Sequence, residues 1–371
     1  MLLVDDLHEW TGTEVHLMRL LKRLDPGLRP VIAVVGRATL APGFRDEGFE
    51  VEPLEIHRVF APSGPLGVLK IARLLVRQRA SLVVCYHTGA DLLGPPAARL
   101  VGKPALSCRR DDGFHKKPIH VKAQRPINML LTGMISVSHA VARAVEQAEG
   151  FPARRNQVIW NGEDLERFSP GPSTLRGELG LPPGARVISS VGLLAPVKDH
   201  VTQIEAFRSV ADRHADLDLY LLVAGDGSER DDLQRRAATL GDRVRFLGHV
   251  KDVPGLLRAS DLYLQTSLTE GFSNAILQAM GVGLPVVVTA VGGNPELVTE
   301  DTGALVPPKS PPAIAEALEG LLSDDDRRRE VGAQARRRTL EHFTLDAMAT
   351  RYADAFARAM EGRFPGPSSG R

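Results

Sequence analysis

The residues best suited to chemistry are concentrated in one short segment, which begins at Glu270 and reads Glu-Gly-Phe-Ser-Asn-Ala-Ile-Leu-Gln. It follows an apolar run, so Glu270 is expected at the carboxyl edge of a sheet, as an acceptor for hydroxyl groups. Ser273 and Asn274 suit the N-cap of a helix, whose free N–H groups and positive end favour a phosphate or sugar oxygens. Gln278 is expected on the same side of that helix as Asn274. The structural alternative is an acid that caps its own helix beside a solvated glutamine.

Three other loops in the same half of the chain also follow apolar runs. Lys198 stands at the start of a helical segment, where a lysine can act as a point charge on a diphosphate; an ordinary surface lysine is the alternative. Gly225 and Asp226 begin a tight turn that is not a complete dinucleotide fingerprint, because Arg230 stands where the third glycine is required. The glycines of the loop 291–296 allow a close backbone approach. These loops are typical of the lining of a nucleotide cleft.

The elements that must position these residues alternate along the chain, with short apolar runs between segments of helical period. Such runs indicate strands buried on both faces, and therefore parallel sheets covered by helices. The 371 residues fit two domains of about 150–180 residues each. A turn pair at 161–162 and the Pro/Gly-rich segment after it predict the boundary. We predict an N-terminal domain 1–165, a C-terminal domain 166–345, a helix 346–363 that packs back on the first domain, and a disordered tail 364–371.

Bulk composition excludes several classes of protein. The formal net charge is +1, which does not favour nucleic acid as a partner. Cys85 and Cys108 are too few for a disulfide framework or a structural zinc site, and we expect both to be buried, reduced thiols. We find no signal peptide and no apolar stretch long enough to span a membrane, so a cytoplasmic location is expected. No His/Asp metal cluster and no glycosidase-type pair of carboxylates is recognisable.

The same residues, taken with their neighbours, resemble the family-4 glycosyltransferases. The resemblance covers most of the chain and is most specific in its second half. It rests on these motifs: Val-Gly-Leu-Leu-Ala-Pro-Val-Lys-Asp (191–199), Ala-Gly-Asp-Gly (224–227), Phe-Leu-Gly-His-Val-Lys-Asp-Val (246–253), Glu-Gly-Phe (270–272), Gly-Leu-Pro-Val-Val-Val-Thr (283–289), Val-Gly-Gly-Asn-Pro-Glu-Leu-Val (291–298) and Thr-Gly-Ala-Leu-Val-Pro-Pro (302–308).

The resemblance implies an α/β protein of GT-B fold, with two Rossmann-like domains facing across a cleft. It implies that the C-terminal domain binds a nucleotide-sugar donor, UDP- or GDP-linked, and that the N-terminal domain binds a glycan, lipid-linked or small-molecule acceptor. It further implies transfer with retention of anomeric configuration, without a metal or another cofactor, and a role in polysaccharide biosynthesis. A non-catalytic sugar-nucleotide-binding protein and a sugar-nucleotide epimerase are the alternatives on the same fold.

The resemblance also implies roles for single residues. Lys198 would bind the donor diphosphate, and Glu270 would hold the donor sugar with the backbone of the three residues after it. Gln278 would bind the ribose hydroxyls. The donor-binding set that we predict is Gly12, Gly192, Lys198, Gly225, Asp226, Gly248, Val250, Glu270, Gly271, Phe272, Ser273, Asn274 and Gln278, with the base held from Gly248 to Val250.

Two positions depart from the family pattern in the donor half. Gln278 replaces the second glutamate of the motif E-x7-E, and an amide accepts a ribose hydroxyl without a charge. We therefore expect reduced donor affinity, and tighter binding in the variant Gln278→Glu. Leu193 stands where many members have arginine, which leaves Lys198 as the cation at this place.

The N-terminal half departs from the pattern at the position of a catalytic-site histidine. After the run 104–108 the chain has Arg109 and Arg110, either of which could stabilise the leaving phosphate as a charge; a surface cationic loop is the alternative. His87, after an earlier run, is the other candidate, although a histidine at a strand end is often structural. With Glu270 and Lys198 these three residues complete the predicted catalytic set.

Basic residues are frequent in two stretches of the N-terminal half, 66–79 and 115–125. Basic residues on an amphipathic helix can approach anionic lipid or an anionic acceptor, and they can equally be merely solvated. A peripheral contact with the inner face of the membrane is therefore a further expectation.

Overall fold

The computed structural model describes residues 1–7, 10, 12–56, 63–113 and 118–366. The chain forms two compact units, one made of Met1–Gly162 together with the chain from Leu345 onward, and the other of Glu163–Thr344. We call them unit 1 and unit 2. Among the described residues, no helix is both long enough and apolar enough to cross a bilayer.

Unit 1 is built on a seven-stranded parallel sheet with the order β3-β2-β1-β4-β5-β6-β7. Most of its strands are short apolar runs buried on both faces, as their sequences predict. The strands are β1 (Leu2–Asp5), β2 (Val31–Val34), β3 (Glu50–Pro53), β4 (Val83–Tyr86), β5 (Ala105–Arg109), β6 (Gly133–Ser136) and β7 (Asn156–Val158). The helices between them are α1 (Gly12–Leu21), α2 (Ala41–Asp46), α3 (Ser63–Arg77), α4 (His87–Leu100), α5 (Pro118–Asn128) and α6 (His139–Glu149).

Unit 2 repeats this plan with a six-stranded parallel sheet in the order β10-β9-β8-β11-β12-β13. Its strands are β8 (Arg186–Val191), β9 (Leu219–Ala224), β10 (Val244–Gly248), β11 (Leu262–Gln265), β12 (Val286–Thr289) and β13 (Gly303–Val306). Its helices are α7 (Leu175–Glu178), α8 (His200–Arg213), α9 (Arg230–Ala237), α10 (Val253–Arg258), α11 (Asn274–Val282), α12 (Asn294–Leu297), α13 (Pro311–Leu322) and α14 (Asp325–His342).

The last helix, α15 (Leu345–Met360), contributes to the core of unit 1. Its buried residues recur every three or four positions, which is the period of a helix with one apolar face: Leu345, Met348, Ala349, Tyr352, Ala355, Phe356 and Ala359. Beyond it, Phe364 packs against the same core, and the backbone N–H of Gly366 donates to Gln157 at 3.2 Å. The predicted disorder of the tail therefore does not hold for residues 364–366, and residues 367–371 lie outside the described residues.

Each sheet has one point at which the strand order reverses direction. In unit 1 this point lies between β1 and β4, and in unit 2 between β8 and β11. In open parallel sheets, ligands bind beyond the carboxyl ends of the strands at such a point. The prediction of two Rossmann-like parallel sheets is confirmed, and the loops after these four strands are the places to look for chemistry.

Candidate functional site

Glu270 lies beyond the end of β11, and one oxygen of its carboxylate is held by three donors. Oε1 accepts from Lys198 Nζ at 2.5 Å, from Gln265 Nε2 at 2.8 Å and from Ser267 Oγ at 2.6 Å. The side chain is 11% exposed, and Oε2 receives no hydrogen bond from the described residues. The loop thus fixes one oxygen and leaves the other able to accept from a ligand.

Gln265, the last residue of β11, links this carboxylate to the helix that follows. Its Oε1 accepts from Ser273 Oγ and from Tyr263 Oη, both at 3.0 Å, while its Nε2 donates to Glu270. Sequence reasoning missed Gln265 and Ser267. The signal for Gln265 was available, since a buried polar residue at the carboxyl end of a central strand requires a partner.

Lys198 lies beyond the end of β8, in a short 3-10 turn that precedes α8. The Thr266 hydroxyl donates to the carbonyl oxygens of Lys198 at 3.2 Å and of Asp199 at 2.9 Å, and the N–H of Leu268 donates to Val197 at 2.8 Å. These bonds join the loop after β8 to the loop after β11. They bring Lys198 and Glu270 together at the point where the sheet order of unit 2 reverses.

The glycines of the 291–296 loop allow it to pass close to the backbone of Glu270. Gly292 has a φ of +51°, and a Cβ at this position would lie 1.7 Å from the carbonyl oxygen of Glu270. The neighbouring Gly293 N–H donates to that same oxygen at 3.1 Å. The close approach that the sequence predicted for this loop is therefore directed at Glu270.

Three predicted glycines meet at the ends of β8, β9 and β10. A Cβ on Gly225, whose φ is +139°, would lie 1.8 Å from the carbonyl oxygen of Gly192. The N–H of Gly225 donates to Gly248 at 2.7 Å. Asp226 is exposed and pairs with Arg230 at 3.2 Å, which gives the arginine in the third-glycine position a role within its own turn.

The N-terminus of α11 lies directly after Glu270. Ser273 is its N-cap, and Ser273 Oγ accepts from the N–H of Ile276 at 3.4 Å. Asn274 begins the helix and is half-buried, as is Gly271 before it. Phe272 is buried with its ring 5.6 Å from that of Phe343, so its side chain belongs to the core and only its backbone could face a ligand.

Gln278 contacts a carboxylate that the sequence analysis did not consider. Its Nε2 donates to Glu163 Oε2 at 2.7 Å, and Glu163 is 1% exposed. The amide donors of Gln278 are therefore directed at an acid of the chain itself. A glutamate at position 278 would place two carboxylates against each other, so the expectation that Gln278→Glu tightens donor binding has to be reversed.

His87 in unit 1 lies beside two buried carboxylates at the reversal point between β1 and β4. Its Nε2 is 2.9 Å from Glu14 Oε1 and 3.4 Å from Asp5 Oδ1. Burial disfavours the imidazolium, but the hydrogen bond to Glu14 and the charges of both acids outweigh it and raise the pKa of His87 to about 9. Burial raises the pKa of Asp5 to about 7. His87 is thus a cation at neutral pH, held by acids that sequence reasoning missed.

These three residues also form a group that the sequence analysis did not recognise, because they are far apart in the chain. The potential ligand atoms of Asp5, Glu14 and His87 lie within 4.8 Å of one another, which is close enough to hold a metal ion. A metal would have to displace the proton of His87, since a ligating imidazole is neutral. The direct contact between His87 and Glu14 satisfies both groups without a metal.

Arg109 is buried in an ion-pair network, which is against its predicted role at the leaving phosphate. Its Nη1 donates to Asp91 and its Nη2 to Glu149, the latter at 2.8 Å, and the side chain is 5% exposed. Ser107 and Asn128 donate to the same two carboxylates. Arg109 therefore neutralises two buried acids and is structural.

Arg110, the next residue, is the better candidate of the pair. It is half-buried, and its Nε and Nη1 atoms are buried without a hydrogen-bond partner among the described residues. Burial lowers the pKa of His16, and the charge of Arg110 lowers it further, so this neighbour stays neutral. A guanidinium with two buried nitrogens that lack a partner favours an anionic ligand.

The structure gives the positions of the remaining predicted residues, and the donor-binding roles of Gly12 and Val250 stay predictions. Gly12 is exposed at the first position of α1, and Val250 is half-buried at a small cluster beside β10. Cys85 and Cys108 are free and buried, as predicted. Part of the predicted basic stretch, residues 115–117, lies outside the described residues.

Comparison with known proteins identifies relatives for part of the sequence. Residues 173–338 match the family model of the glycosyl transferases group 1. The chain is 34% identical over 223 residues to the D-inositol 3-phosphate glycosyltransferase of Corynebacterium glutamicum, over 55% of this chain and 52% of the relative. It is 28% identical over 250 residues to the UDP-Gal:alpha-D-GlcNAc-diphosphoundecaprenol alpha-1,3-galactosyltransferase of Escherichia coli, over 63% of this chain and 64% of the relative. The matches thus span about half to two thirds of these curated relatives.

A solved structure is similar over almost the whole chain. Anabaena HepE, crystallised in complex with UDP, superposes with a TM-score of 0.87 at 24% identity, over 96% of this chain and 99% of HepE. This similarity establishes the fold of both units. The chain has the GT-B fold, and the part of it that carries Lys198 and Glu270 matches the glycosyl transferases group 1.

Proposed function

We propose that the protein is a retaining glycosyltransferase that moves a sugar from a UDP- or GDP-linked donor to a glycan, lipid-linked or small-molecule acceptor. The observation that carries the proposal is the Lys198–Glu270 pair beyond β8 and β11, beside the N-terminus of α11. Both curated relatives are named for sugar transfer, and HepE has been crystallised with UDP and with UDP-glucose. UDP is accordingly the first nucleotide to test.

The contacts of the pair are consistent with donor binding. An ammonium group has three N–H donors, and Lys198 uses one of them on Glu270, which leaves the others for diphosphate oxygens. Glu270 can accept a sugar hydroxyl on Oε2 while Oε1 stays fixed. As the bond from the anomeric carbon to the diphosphate breaks, Lys198 and the N–H groups of α11 stabilise the charge on the leaving oxygen.

The ribose contact in this proposal comes from Glu163 and Gln278 together. Gln278 donates to the Glu163 carboxylate, and its own Oε1 is left to accept a ribose hydroxyl. The pair supplies one carboxylate, from Glu163, and one amide, from Gln278. The family motif has a single carboxylate at the position of Gln278.

For unit 1 we propose a role in acceptor binding. Arg110 is the cation that we propose for an anionic acceptor group, since His87 is already held by Glu14 and Asp5, and the acceptors named for the two relatives carry a phosphate or a diphosphate. We further propose that transfer needs no metal or other cofactor, and that the protein acts in the cytoplasm in polysaccharide biosynthesis.

The test is a transfer assay with UDP-glucose, UDP-galactose and GDP-mannose in the presence of EDTA. The variant Glu270→Gln should lower kcat by about tenfold or more and change the donor KM less, because the carboxylate acts at the reacting sugar. Glu300→Gln, an exposed acid of unit 2, is the matched control. NMR of the product checks retention of the anomeric configuration.

Two results would contradict parts of this proposal. Near-normal turnover by Glu270→Gln, or conversion of the donor sugar without an acceptor, would favour the non-catalytic or epimerase alternative. A rate that collapses in EDTA and returns with magnesium would contradict metal independence and point to the Asp5–Glu14–His87 group.

A further inference from the structure

An open apolar groove lies between α3, α4 and α5 of unit 1, and none of its lining residues belongs to the predicted donor-binding or catalytic set. Its volume is about 560 Å³, within the usual range of ligand pockets. Its walls are hydrocarbon side chains from all three helices, among them Val68, Leu69, Leu93, Leu100, Ala123 and Ile127. The described lining residues carry no polar side chain that could bind a sugar or a nucleotide.

Several apolar side chains on these helices, or just after them, are exposed. Leu66 of α3 is 61% exposed, Leu100 at the end of α4 is 62% exposed and Ile119 of α5 is 61% exposed. Met129, just after α5, is 79% exposed. Single exposed apolar residues are ordinary, but several of them on the helices that form one apolar groove indicate an interaction site.

The exposed charged residues on the same three helices are all basic. Their basic residues are Lys70, Arg73, Arg77, Arg99, Lys122 and Arg125, all exposed. The one carboxylate within the three helices, Asp91, is buried and paired with Arg109. Arg77 is paired with Glu52 of the neighbouring strand, so the net positive charge comes mainly from the other basic residues.

Helix α3 carries both exposed apolar side chains and exposed basic side chains. Its exposed side chains include three apolar and three basic residues, which lie at or close to helical spacing: Leu66, Leu69, Lys70, Arg73, Val76 and Arg77. A helix that lies in a membrane interface has this character, with apolar side chains at the acyl boundary and long cationic side chains at the headgroups.

We infer that the α3–α4–α5 surface docks on an anionic phospholipid bilayer, with the groove receiving part of a lipid chain. The apolar groove fits hydrocarbon, and the exposed basic residues of the same helices fit a layer of phosphate headgroups. The continuous apolar lining of the groove favours a hydrocarbon chain over an acidic protein partner. The inference does not depend on the proposed transferase activity, because none of these residues takes part in the donor site.

The test is co-sedimentation of the full-length protein with vesicles of phosphatidylcholine, with or without phosphatidylglycerol. Binding should require phosphatidylglycerol and weaken with salt. Lys70→Gln/Arg73→Gln should weaken binding by about fivefold for each charge removed. Leu69→Gln/Leu100→Gln should weaken it at least as much. Arg329→Gln and Leu340→Gln, on exposed positions of α14 in unit 2, are the matched controls.

A second measurement locates the contact and does not depend on loss of binding. Tryptophan fluorescence of Leu69→Trp should shift to the blue and be quenched by brominated lipid chains in phosphatidylglycerol vesicles, and that of Leu340→Trp should not. Unchanged UDP affinity and melting temperature would show that the variants are folded.

Three outcomes would overturn the inference. One is equal binding to both kinds of vesicle, and another is equal binding by the groove variants and the controls. The third is a concentration-dependent dimer that Leu69→Gln/Leu100→Gln abolishes, which would assign the surface to a second copy of the chain.

Discussion

At the scale of single residues, the donor-site hypothesis depends on how one carboxylate is held. Three donors converge on Oε1 of Glu270, from a lysine, an amide and a hydroxyl. Removing one of them leaves two, so the orientation of the carboxylate should survive the loss of Lys198. The function of Lys198 can therefore be tested separately from its structural contact.

The first prediction concerns this lysine. Lys198→Ala should weaken UDP binding by about ten- to hundredfold, because a hydrogen bond to a charged group contributes about 1.5–3 kcal/mol. The melting temperature without ligand should change little, since Gln265 and Ser267 still hold Glu270. Isothermal titration with UDP measures the effect, and Arg329→Ala on the surface of unit 2 is the control. Unaltered affinity would move the diphosphate site elsewhere.

The second prediction concerns the Glu163–Gln278 contact. Gln278→Glu should destabilise the protein by about 1–3 kcal/mol and weaken UDP binding, because it removes the donor to a buried carboxylate and adds a like charge. The exchange Glu163→Gln/Gln278→Glu keeps one carboxylate and one amide, and should recover much of both losses. Thermal unfolding and UDP titration of the single and double variants form a double-mutant cycle. A double variant no better than Gln278→Glu would show that the contact is unimportant.

At the scale of elements, the site is assembled from loops that follow adjacent strands. The loops after β8 and β11 are joined by backbone and hydroxyl hydrogen bonds, and the loop after β12 packs on the carbonyl of Glu270. Glycine is needed in that last loop for two independent reasons, a left-handed backbone and the absence of space for a Cβ. A side chain there should disturb the site without touching a ligand.

The third prediction is that Gly292→Ala disturbs the site although the new side chain touches no ligand. The Cβ would lie 1.7 Å from the carbonyl oxygen of Glu270, so the loop must move. The left-handed backbone alone should cost about 1–2 kcal/mol. We expect a lower melting temperature and a large loss of turnover. Gly320→Ala is the control, since it lies on an exposed face of α13 with open space around it and should stabilise by about 0.5–1 kcal/mol. Equal activity of the two variants would contradict the role of this loop.

At the scale of the whole molecule, the chain forms most of unit 1, then all of unit 2, and then completes unit 1 with α15. Helix α15 supplies buried side chains to the core of unit 1, including Tyr352 and Phe356. The stability of unit 1 therefore depends on residues that follow unit 2 in the sequence. The residues proposed for the donor lie within the continuous segment Glu163–Thr344, apart from Gly12.

The fourth prediction follows from this connectivity. Phe356→Ala should destabilise unit 1 by about 3–5 kcal/mol, because a fully buried ring is replaced by a cavity. The affinity of the folded protein for UDP should stay unchanged. Met360→Ala, at a 38% exposed position of the same helix, is the control and should change stability by less than about 0.5 kcal/mol. Thermal unfolding followed with and without UDP distinguishes the units. A loss of UDP affinity in Phe356→Ala would contradict the prediction that UDP binding is independent of the packing of α15 in unit 1.

The amino-acid sequence by itself determined the plan of the two sheets and the position of the main candidates. Apolar runs such as Leu219–Ala224 are typical of strands buried on both faces, and such strands require helices on both sides of the sheet. Glu270 and Lys198 were recognisable because each follows such a run, and the carboxyl ends of parallel strands share one edge. The glycines of the 291–296 loop were recognisable for the same reason. These are local properties, and the chain displays them without being folded.

Only the tertiary structure decided which polar side chains face each other. Arg109 and Arg110 are adjacent in sequence, yet Arg109 at the end of β5 is buried between Asp91 and Glu149, whereas Arg110 just beyond the strand has buried nitrogens with no partner among the described residues. Glu163 and Gln278 are 115 positions apart, and their contact reversed the expected effect of a glutamate at 278. His87 and Glu14 are 73 positions apart and meet because β1 and β4 are neighbours. Such pairs depend on strand order and loop geometry, which local periodicity does not encode.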